Sequence, residues 1–238
     1  MVPLRIVIPA KNEEKYLPKL LDSIKNQSFK DLEIIVADAN STDKTRQIAA
    51  DYGCKVVDGG PPDIGRNNGM VGCRAPLVCF IDSDIILPKR DYLQKSIEEF
   101  YSRRLDIAGG MQKPHECCNA FNYLFFNTFY SVANIGMLLA EKSKNPMMQT
   151  FMMMKTDVHK DVGGFPPYEF GEDSAFARKA VEKGYKFGIL TTPGKSLISH
   201  RRFKSKGIFN MLGTYAYFNG MRLLGKEFER GKTKAKYW

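Results

Sequence analysis

Two aspartates separated by one residue, Asp82 and Asp84, are the most specific chemical feature of the sequence. They follow the apolar run Leu77–Ile81, which has the length and composition of a buried strand. Two carboxylates at a strand end can reach one cation, and a hard divalent ion such as Mn²⁺ or Mg²⁺ prefers oxygen ligands. Such an ion can also bridge the phosphates of a diphosphate leaving group. The pair predicts a metal site, while aspartate and serine are also ordinary turn residues.

Polar residues also follow two earlier strand-like runs. The segment Pro9–Glu14 follows Leu4–Ile8, and Asp38 ends the run Leu32–Ala37. Ligands of open α/β sheets bind at the carboxyl ends of parallel strands. We therefore expect these two loops to converge with the loop of Asp82 on one edge of a sheet.

The alternation of strands and helices predicts the fold class. Apolar residues at helical spacing predict a first helix, namely Leu17, Leu20, Leu21 and Ile24. Further strands are expected at 55–57, 107–112 and 151–155. Further helices are expected after the capping residues 40–43, running to Tyr52 and stopping at Gly53, and from Glu172 to Gly184. Such an order predicts an α/β, Rossmann-like, mostly parallel sheet flanked by helices.

Four more candidate residues have an ordinary structural interpretation as well as a functional one. Glu172 and Asp173 begin a helix, where the dipole favours acidic side chains, but one of them can also serve as a general base for a hydroxyl. Arg66, in the segment Gly65–Gly69, is either a solvated arginine or a contact for phosphate or base. His200 is either structural, a third metal ligand beside the two aspartates, or, with the following arginines, a diphosphate contact. His159 is expected to be exposed in a polar turn.

The net charge of +10 is concentrated at the end of the chain. From His200 onward there are ten Lys or Arg and two Glu, so the remainder is nearly balanced. We therefore divide the chain into a domain at 1–200 and a basic, helical appendage at 201–238, and we expect no nucleic-acid binding. Apolar residues at 208, 211, 212, 215 and 218 share one helical face. This appendage is either a helix on an anionic membrane surface or a helix packed on the domain.

The stretch Cys117–Ala140 has no charged residue over its 24 positions. Its length suits a membrane span, but several asparagines interrupt it. The alternatives are a helix that lies against a membrane or roofs a pocket, and a plain core helix. The five cysteines are scattered, and no apolar leader opens the sequence, so we expect reduced thiols and a cytoplasmic protein.

In order and spacing, these segments resemble the family-2 inverting glycosyltransferases, which have the GT-A nucleotide-binding fold. The resemblance extends over residues 4–200. The matching segments are Val7–Glu14, Asp38–Thr45, Gly65–Gly69, Phe80–Asp84, Val162–Phe165 and Gly171–Asp173.

The resemblance implies a role for each matching residue. The nucleotide pocket would be shaped by Pro9, Asn12 and Glu13. Asp38 would hydrogen-bond the base, and Arg66 would lie near the base and the phosphates.

The resemblance also implies the reaction. Asp82 and Asp84 would serve the metal and the ribose, and Asp173 would be the catalytic base. The expected activity is transfer of a sugar, with inversion, from a UDP- or GDP-sugar to a hydroxyl acceptor. A lipid-linked acceptor would follow if the basic appendage binds a membrane, which would place the protein on its cytoplasmic face; a growing glycan is the other acceptor.

The sequence departs from the family pattern in three places. The usual Asp-Asp-Gly-Ser is here Asp38-Ala39-Asn40-Ser41, and Lys11 stands where an aromatic residue is common. Nothing after Asp173 matches the Gln-x-x-Arg-Trp of processive synthases, which favours a single transfer. Two alternatives are a sugar-nucleotide-forming nucleotidyltransferase, disfavoured by the glycine-free loop 9–13, and a non-catalytic protein that binds a sugar nucleotide or a lipid head group.

Overall fold

A computed structural model describes residues 3–115, 120–168 and 170–201, together with 207, 208, 210, 213, 214 and 217. The strands in this part are β1 Leu4–Ala10, β2 Leu32–Asp38, β3 Lys55–Asp58, β4 Leu77–Ile81, β5 Ile85–Ile86, β6 Ile107–His115, β7 Phe151–Lys155 and β8 Phe187–Ser199. The helices are α1 Leu17–Lys25, α2 Thr45–Asp51, α3 Pro62–Gly69, α4 Tyr92–Ser102, α5 Ala120–Ala140, α6 Thr156–Val162 and α7 Glu172–Glu182.

The described strands form one mixed sheet in the order β3-β2-β1-β4-β7-β6-β8-β5. The first four strands along the chain, β1 to β4, pair in parallel, as the βαβ pattern predicts. In the second half β7 lies antiparallel between β4 and β6, while β6 and β8 are parallel. The sheet is thus parallel on one side and mixed on the other. The sequence analysis missed β8, because Pro193 and Gly194 interrupt its apolar pattern.

Helices cover both faces of the sheet. On one face Leu4, Ile6 and Ile8 belong to a buried cluster that includes residues of α1 and α4. On the other face Val7 and Phe80 belong to a second cluster with residues of α6 and α7. Strands covered on both faces are near-continuous apolar runs rather than alternating ones, which explains the composition of β1 and β4.

The uncharged stretch forms the long helix α5, which packs on β6. The amide of Asn134 accepts a hydrogen bond from the backbone N–H of Gln112 at 3.0 Å and donates one to its carbonyl at 2.7 Å. Residues 122–140 are long and apolar enough to cross a membrane, but by length and composition only. Only 22% of this stretch is buried, so α5 is not a plain core helix.

Most of the predicted appendage, 201–238, lies outside the described residues, and its membrane or packing role stays a prediction. Six of its residues are described as helical: Arg201, Ile208, Asn210, Gly213, Thr214 and Tyr217. Cys117 and Cys118 also lie outside the described part, whereas Cys54, Cys73 and Cys79 are buried free thiols.

The close approach of α3 to β1 depends on a glycine and yields a prediction. A Cβ added at Gly69 would lie 2.2 Å from Cγ1 of Val7, a distance that no real contact allows. We expect Gly69→Ala to lower the free energy of unfolding by about 2 kcal/mol, because overpacking a tight core displaces its neighbours. Urea unfolding followed by circular dichroism measures this change.

The matched control is Gly136→Ala in α5, where an added Cβ would meet nothing within 4 Å. This change should be neutral or slightly stabilising, since alanine is the better helix former. Equal effects of the two substitutions would contradict the assignment of a tight contact at Gly69.

Candidate active site

The loops after β1 and β2 are joined by side-chain hydrogen bonds at the predicted edge of the sheet. The register pairs Ala10 with Asp38, so both loops start side by side. The backbone N–H of Asn12 donates to Oγ of Ser41 at 2.8 Å, and Oδ1 of Asn12 accepts from the N–H of Thr42 at 2.9 Å. The predicted convergence of these loops is therefore confirmed, and Asn12 holds them together.

Asn40 explains one departure from the family pattern. It has a φ of 53°, in the left-handed region, where glycine is favoured and asparagine is the next most tolerated type. The usual glycine is therefore replaced without loss of the backbone conformation. The sequence alone did not indicate that this conformation is kept, because a single sequence does not show φ.

Asp38 is buried at the start of this loop with one oxygen unmatched. Its Oδ2 accepts from the N–H of Ser41 and from Nη1 of Arg46, both at 3.2 Å. Its Oδ1 is buried and has no hydrogen-bond partner among the described residues. A buried acceptor without a donor costs free energy. An N–H donor from a ligand would satisfy it, which suits the predicted contact with a nucleotide base.

Arg66 joins the loop after β4, which contains Asp82, to the start of α7. It is only 3% exposed, and its Nη2 donates to Oδ1 of Asp82 at 3.0 Å while its Nη1 donates to Oε1 of Glu172 at 2.5 Å. Burial alone would lower the pKa of Arg66, but the carboxylates of Glu172, Asp82 and Asp173 hold it above its ordinary value. The guanidinium is therefore charged. The arginine expected near base and phosphates bridges two of the predicted site carboxylates.

A second arginine, Arg201, holds the other predicted aspartate. Its Nε donates to Oδ2 of Asp84 at 3.1 Å, and its two terminal nitrogens donate to Glu13 at 2.5 and 2.6 Å. Its Cζ lies 4.5 Å from the ring centre of Tyr16. Burial raises the pKa of Glu13, and the ion pair with Arg201 only partly opposes this. The sequence analysis named no role for this arginine on its own, and the only signal was its place directly after His200.

His200 lies at the end of β8 with its Nδ1 3.1 Å from the carbonyl oxygen of His115. Its ring centre is 4.9 Å from that of Phe126. Across the described ranges, no three His, Cys, Asp or Glu side chains are grouped so that they could hold a metal ion. Asp82, Asp84 and His200 thus do not form a ready three-ligand set, and their assignment as ligands stays a prediction.

The expectation that His159 is exposed was wrong. It is buried in α6, its Nε2 lies 3.1 Å from Oδ1 of Asn67, and its ring packs on Phe80 and Phe176. The polar residues around it in sequence hid this burial. The same Asn67 oxygen accepts from the N–H of Phe165 at 2.9 Å, and the Phe165 ring lies 5.4 Å from the Arg66 guanidinium carbon. His159 therefore belongs to the packing beneath the site.

A sequence profile of glycosyl transferase family 2 matches residues 5–163, which contain Asp38, Arg66, Asp82 and Asp84. The chain belongs to glycosyl transferase family 2.

Curated family members resemble the chain over much of its length. It is 28% identical over 221 residues to 4,4'-diaponeurosporenoate glycosyltransferase of Staphylococcus haemolyticus, covering 85% of this chain and 57% of that protein. It is 26% identical to the O-antigen chain rhamnosyltransferase RfbN of Salmonella typhimurium, covering 77% of this chain and 62% of the relative. The chain thus spans about three fifths of the length of these relatives.

Solved structures of glycosyltransferases share the fold. TarS residues 1–349 of S. aureus superimposes with a TM-score of 0.63 at 22% identity, covering 83% of this chain and 60% of that one. The mannosyltransferase PcManGT of Pyrobaculum calidifontis, solved with GDP-Man and Mn²⁺, gives a TM-score of 0.66 at 20% identity, covering 84% and 56%. The predicted GT-A fold is therefore confirmed.

The buried bridge made by Arg66 predicts a large stability effect. Arg66→Gln would leave Asp82 and Glu172 without their cation. We expect the free energy of unfolding to fall by about 3 kcal/mol, because removing one partner leaves buried charge uncompensated. Urea unfolding measures the change.

The control is Arg74→Gln, at an exposed arginine, whose free energy of unfolding should stay within about 0.5 kcal/mol of wild type. Equal urea midpoints for the two variants would refute the Arg66 bridge.

The burial of His159 predicts a pH dependence of stability. Burial lowers its pKa from 6.5 to about 4, so the unfolded chain takes up the proton at a higher pH than the folded chain. This contribution to stability is present above pH 6.5 and is lost as the pH falls towards 4. The free energy of unfolding should therefore be about 2 kcal/mol lower at pH 5 than at pH 7 because of His159. His159→Phe should lack it. Urea unfolding of both proteins at pH 7 and pH 5 isolates the contribution of His159, since all other titrating groups are shared by the two proteins. An equal loss of unfolding free energy in wild type and in His159→Phe would contradict the prediction.

Proposed function

We propose that this chain transfers a sugar from a nucleotide diphosphate sugar to a hydroxyl acceptor, with inversion at the anomeric carbon. The observation that carries the proposal is the Arg66 bridge. It brings Asp82, a candidate for binding metal and donor, next to Glu172 at the start of α7, where the candidate base Asp173 follows. An inverting transferase needs these two functions on opposite sides of one reacting carbon.

The donor nucleotide would bind across the loops after β1 and β2. The unmatched Oδ1 of Asp38 supports a contact with the base, and Pro9, Asn12 and Glu13 would line the same pocket. TarS has been crystallised with UDP-GlcNAc and PcManGT with GDP-Man. We therefore propose a UDP- or GDP-sugar donor for this chain.

Asp82 and Asp84 fit a hard divalent ion, because carboxylate oxygens are the ligands that Mn²⁺ and Mg²⁺ prefer. When bound, such an ion would neutralise charge on the diphosphate leaving group. PcManGT and the glucosyl-3-phosphoglycerate synthase of Mycobacterium tuberculosis were solved with Mn²⁺. Arg201, which contacts Asp84 and Glu13, would face the same diphosphate as a second positive group.

Asp173 is the better candidate for the base. Glu172 is buried and its Oε1 forms an ion pair with Arg66, whereas Asp173 is half-buried and its Oδ1 accepts a hydrogen bond from the backbone N–H of Ser174 at 2.5 Å. Glu172 would then position Arg66. Asp173 takes the proton of the acceptor hydroxyl as that oxygen bonds to the anomeric carbon. The bond from this carbon to the diphosphate oxygen breaks, and its electron pair leaves with the diphosphate.

A lipid-linked hydroxyl is the acceptor that we favour over a soluble growing glycan. The relative from Campylobacter jejuni, 34% identical over 93 residues, is named as a glucosyltransferase for a PP-undecaprenol-linked glycan. The S. haemolyticus relative is named for 4,4'-diaponeurosporenoate. A single transfer at the cytoplasmic face of a membrane, within glycan or glycolipid biosynthesis, fits these acceptors.

Release of nucleoside diphosphate tests the proposal. The protein is mixed with UDP- and GDP-sugars, Mn²⁺ and lipid-linked acceptors, and nucleoside diphosphate and glycosylated lipid are quantified together. A nucleotidyltransferase would instead release pyrophosphate from a nucleoside triphosphate and a sugar phosphate. If no mixture releases nucleoside diphosphate or pyrophosphate, the protein only binds its ligand, and the proposal is overturned.

The base assignment predicts the effect of Asp173→Asn. We expect kcat to fall by about 10²–10⁴-fold, the usual contribution of a general base. Donor binding, measured by the rise in melting temperature with nucleotide diphosphate sugar, should persist. Asp157→Asn is the control, because this side chain is 95% exposed on α6. If Asp173→Asn transfers sugar within tenfold of wild type, Asp173 is not the base.

A further inference from the structure

The outer face of α5 is an exposed apolar stripe. Leu139 is 79% exposed and Leu124 is 66% exposed. The stripe consists of Tyr123, Leu124, Val132, Ile135, Leu138 and Leu139. From Leu124 to Leu139 it runs for about 22 Å, at 1.5 Å per residue. The exposed Thr128 lies within the stripe, between Leu124 and Val132. Large exposed apolar areas mark interaction surfaces.

α5 carries apolar side chains on both faces, unlike a surface helix that faces water. Such a helix turns its apolar stripe to the core and its polar residues to solvent. In α5 the polar Asn134 is buried and pairs with the backbone of Gln112, while the larger aliphatic side chains point outward. The inner face is held by the protein. The outer face therefore has the composition expected next to an apolar phase.

Exposed lysines follow the stripe, and a basic part of the sequence begins near its other end. Beyond its C-terminal end, Lys142 and Lys144 are exposed. Near its N-terminal end the chain leaves β8, where the ring of His200 packs on Phe126 and Ile208 packs on the cluster of Phe126 and Tyr130. The segment that starts there contains ten Lys or Arg and only two Glu. An apolar face between cationic segments is complementary to a bilayer with anionic head groups.

We propose that the outer face of α5 docks on the surface of an anionic lipid bilayer, with the exposed Lys142 and Lys144 contacting the head groups. The helix lies on the membrane rather than crossing it, because Phe126, Asn134 and Met137 bury its other face in the protein.

This docking would orient the active site towards the membrane. Below α5, Nε2 of Gln112 donates to Oγ1 of Thr150 at 2.5 Å, and the carbonyl of Thr150 accepts from the N–H of Asp82 at 3.0 Å. The docked helix and the loop of Asp82 are thus three hydrogen bonds apart, through Gln112 and Thr150. The value of this arrangement for a lipid-linked acceptor rests on the proposed function, but membrane binding itself does not.

Vesicle sedimentation of the full chain tests the docking without donor or acceptor. Wild type should bind vesicles of phosphatidylcholine mixed with phosphatidylglycerol, and bind phosphatidylcholine alone at least tenfold more weakly. The triple variant Val132→Glu, Ile135→Glu, Leu139→Glu should lower the partition coefficient on anionic vesicles at least tenfold. Val71→Glu is the matched control and should bind as wild type, because Val71 is 74% exposed in the turn after α3.

Three outcomes would overturn the docking. The first is wild type that stays in the supernatant, or a triple variant that sediments with vesicles as wild type does. The second is a dimer in sedimentation velocity that the triple variant converts to a monomer, which would assign the face to a second copy. The third is a fall of several degrees in the melting temperature of the triple variant without vesicles, which would mean that the chain itself covers the stripe.

The rise in melting temperature of the same triple variant with nucleotide diphosphate sugar measures its donor binding. This measurement distinguishes a failure of the docking proposal from a failure of the proposed function. Retained donor binding with lost vesicle binding supports docking. Vesicle binding by wild type with no glycosyl transfer to any acceptor would leave the docking intact and overturn the function.

Discussion

The buried guanidinium of Arg66 determines the geometry of the sheet edge at which the candidate site residues lie. Arg66 is charged in a nearly water-free position, and a charge in such a place persists only when carboxylates pair with it. Its two partners, Asp82 and Glu172, belong to the loop after β4 and to α7. Arg66 itself is placed by α3, which approaches β1 closely because Gly69 has no side chain to meet Val7. Packing of backbone against backbone thus sets where the site carboxylates lie.

The two aspartates in the loop after β4 each form an ion pair with a different arginine. Asp82 pairs with Arg66, which is buried, and Asp84 pairs with Arg201, which also holds Glu13. The two ion pairs differ in exposure, since Arg201 retains contact with solvent while Arg66 does not.

Much of the fold was predictable because its first half is encoded locally. β1, β2, β3 and β4 follow from apolar runs, and the carboxyl ends of parallel strands necessarily share one edge, so Asp38 and Asp82 could be placed together from the sequence. The second half resisted this reasoning. β8 contains a proline and a glycine, and β7 inserts antiparallel between strands that are distant in the chain. Periodicity describes one segment at a time and does not state which segments pair.

The sequence by itself determined the strand ends, the candidate carboxylates and the family resemblance, since these depend on residue types and short spacings. Only the tertiary structure decided which cation meets which carboxylate. Arg201 reaches Glu13 across 188 positions, and Arg66 reaches Glu172 across 106. The structure likewise decided that His159 is buried and that α5 turns its aliphatic side chains outward. Burial and ion pairing are properties of what packs around a residue, and packing between distant segments is not written in any local pattern.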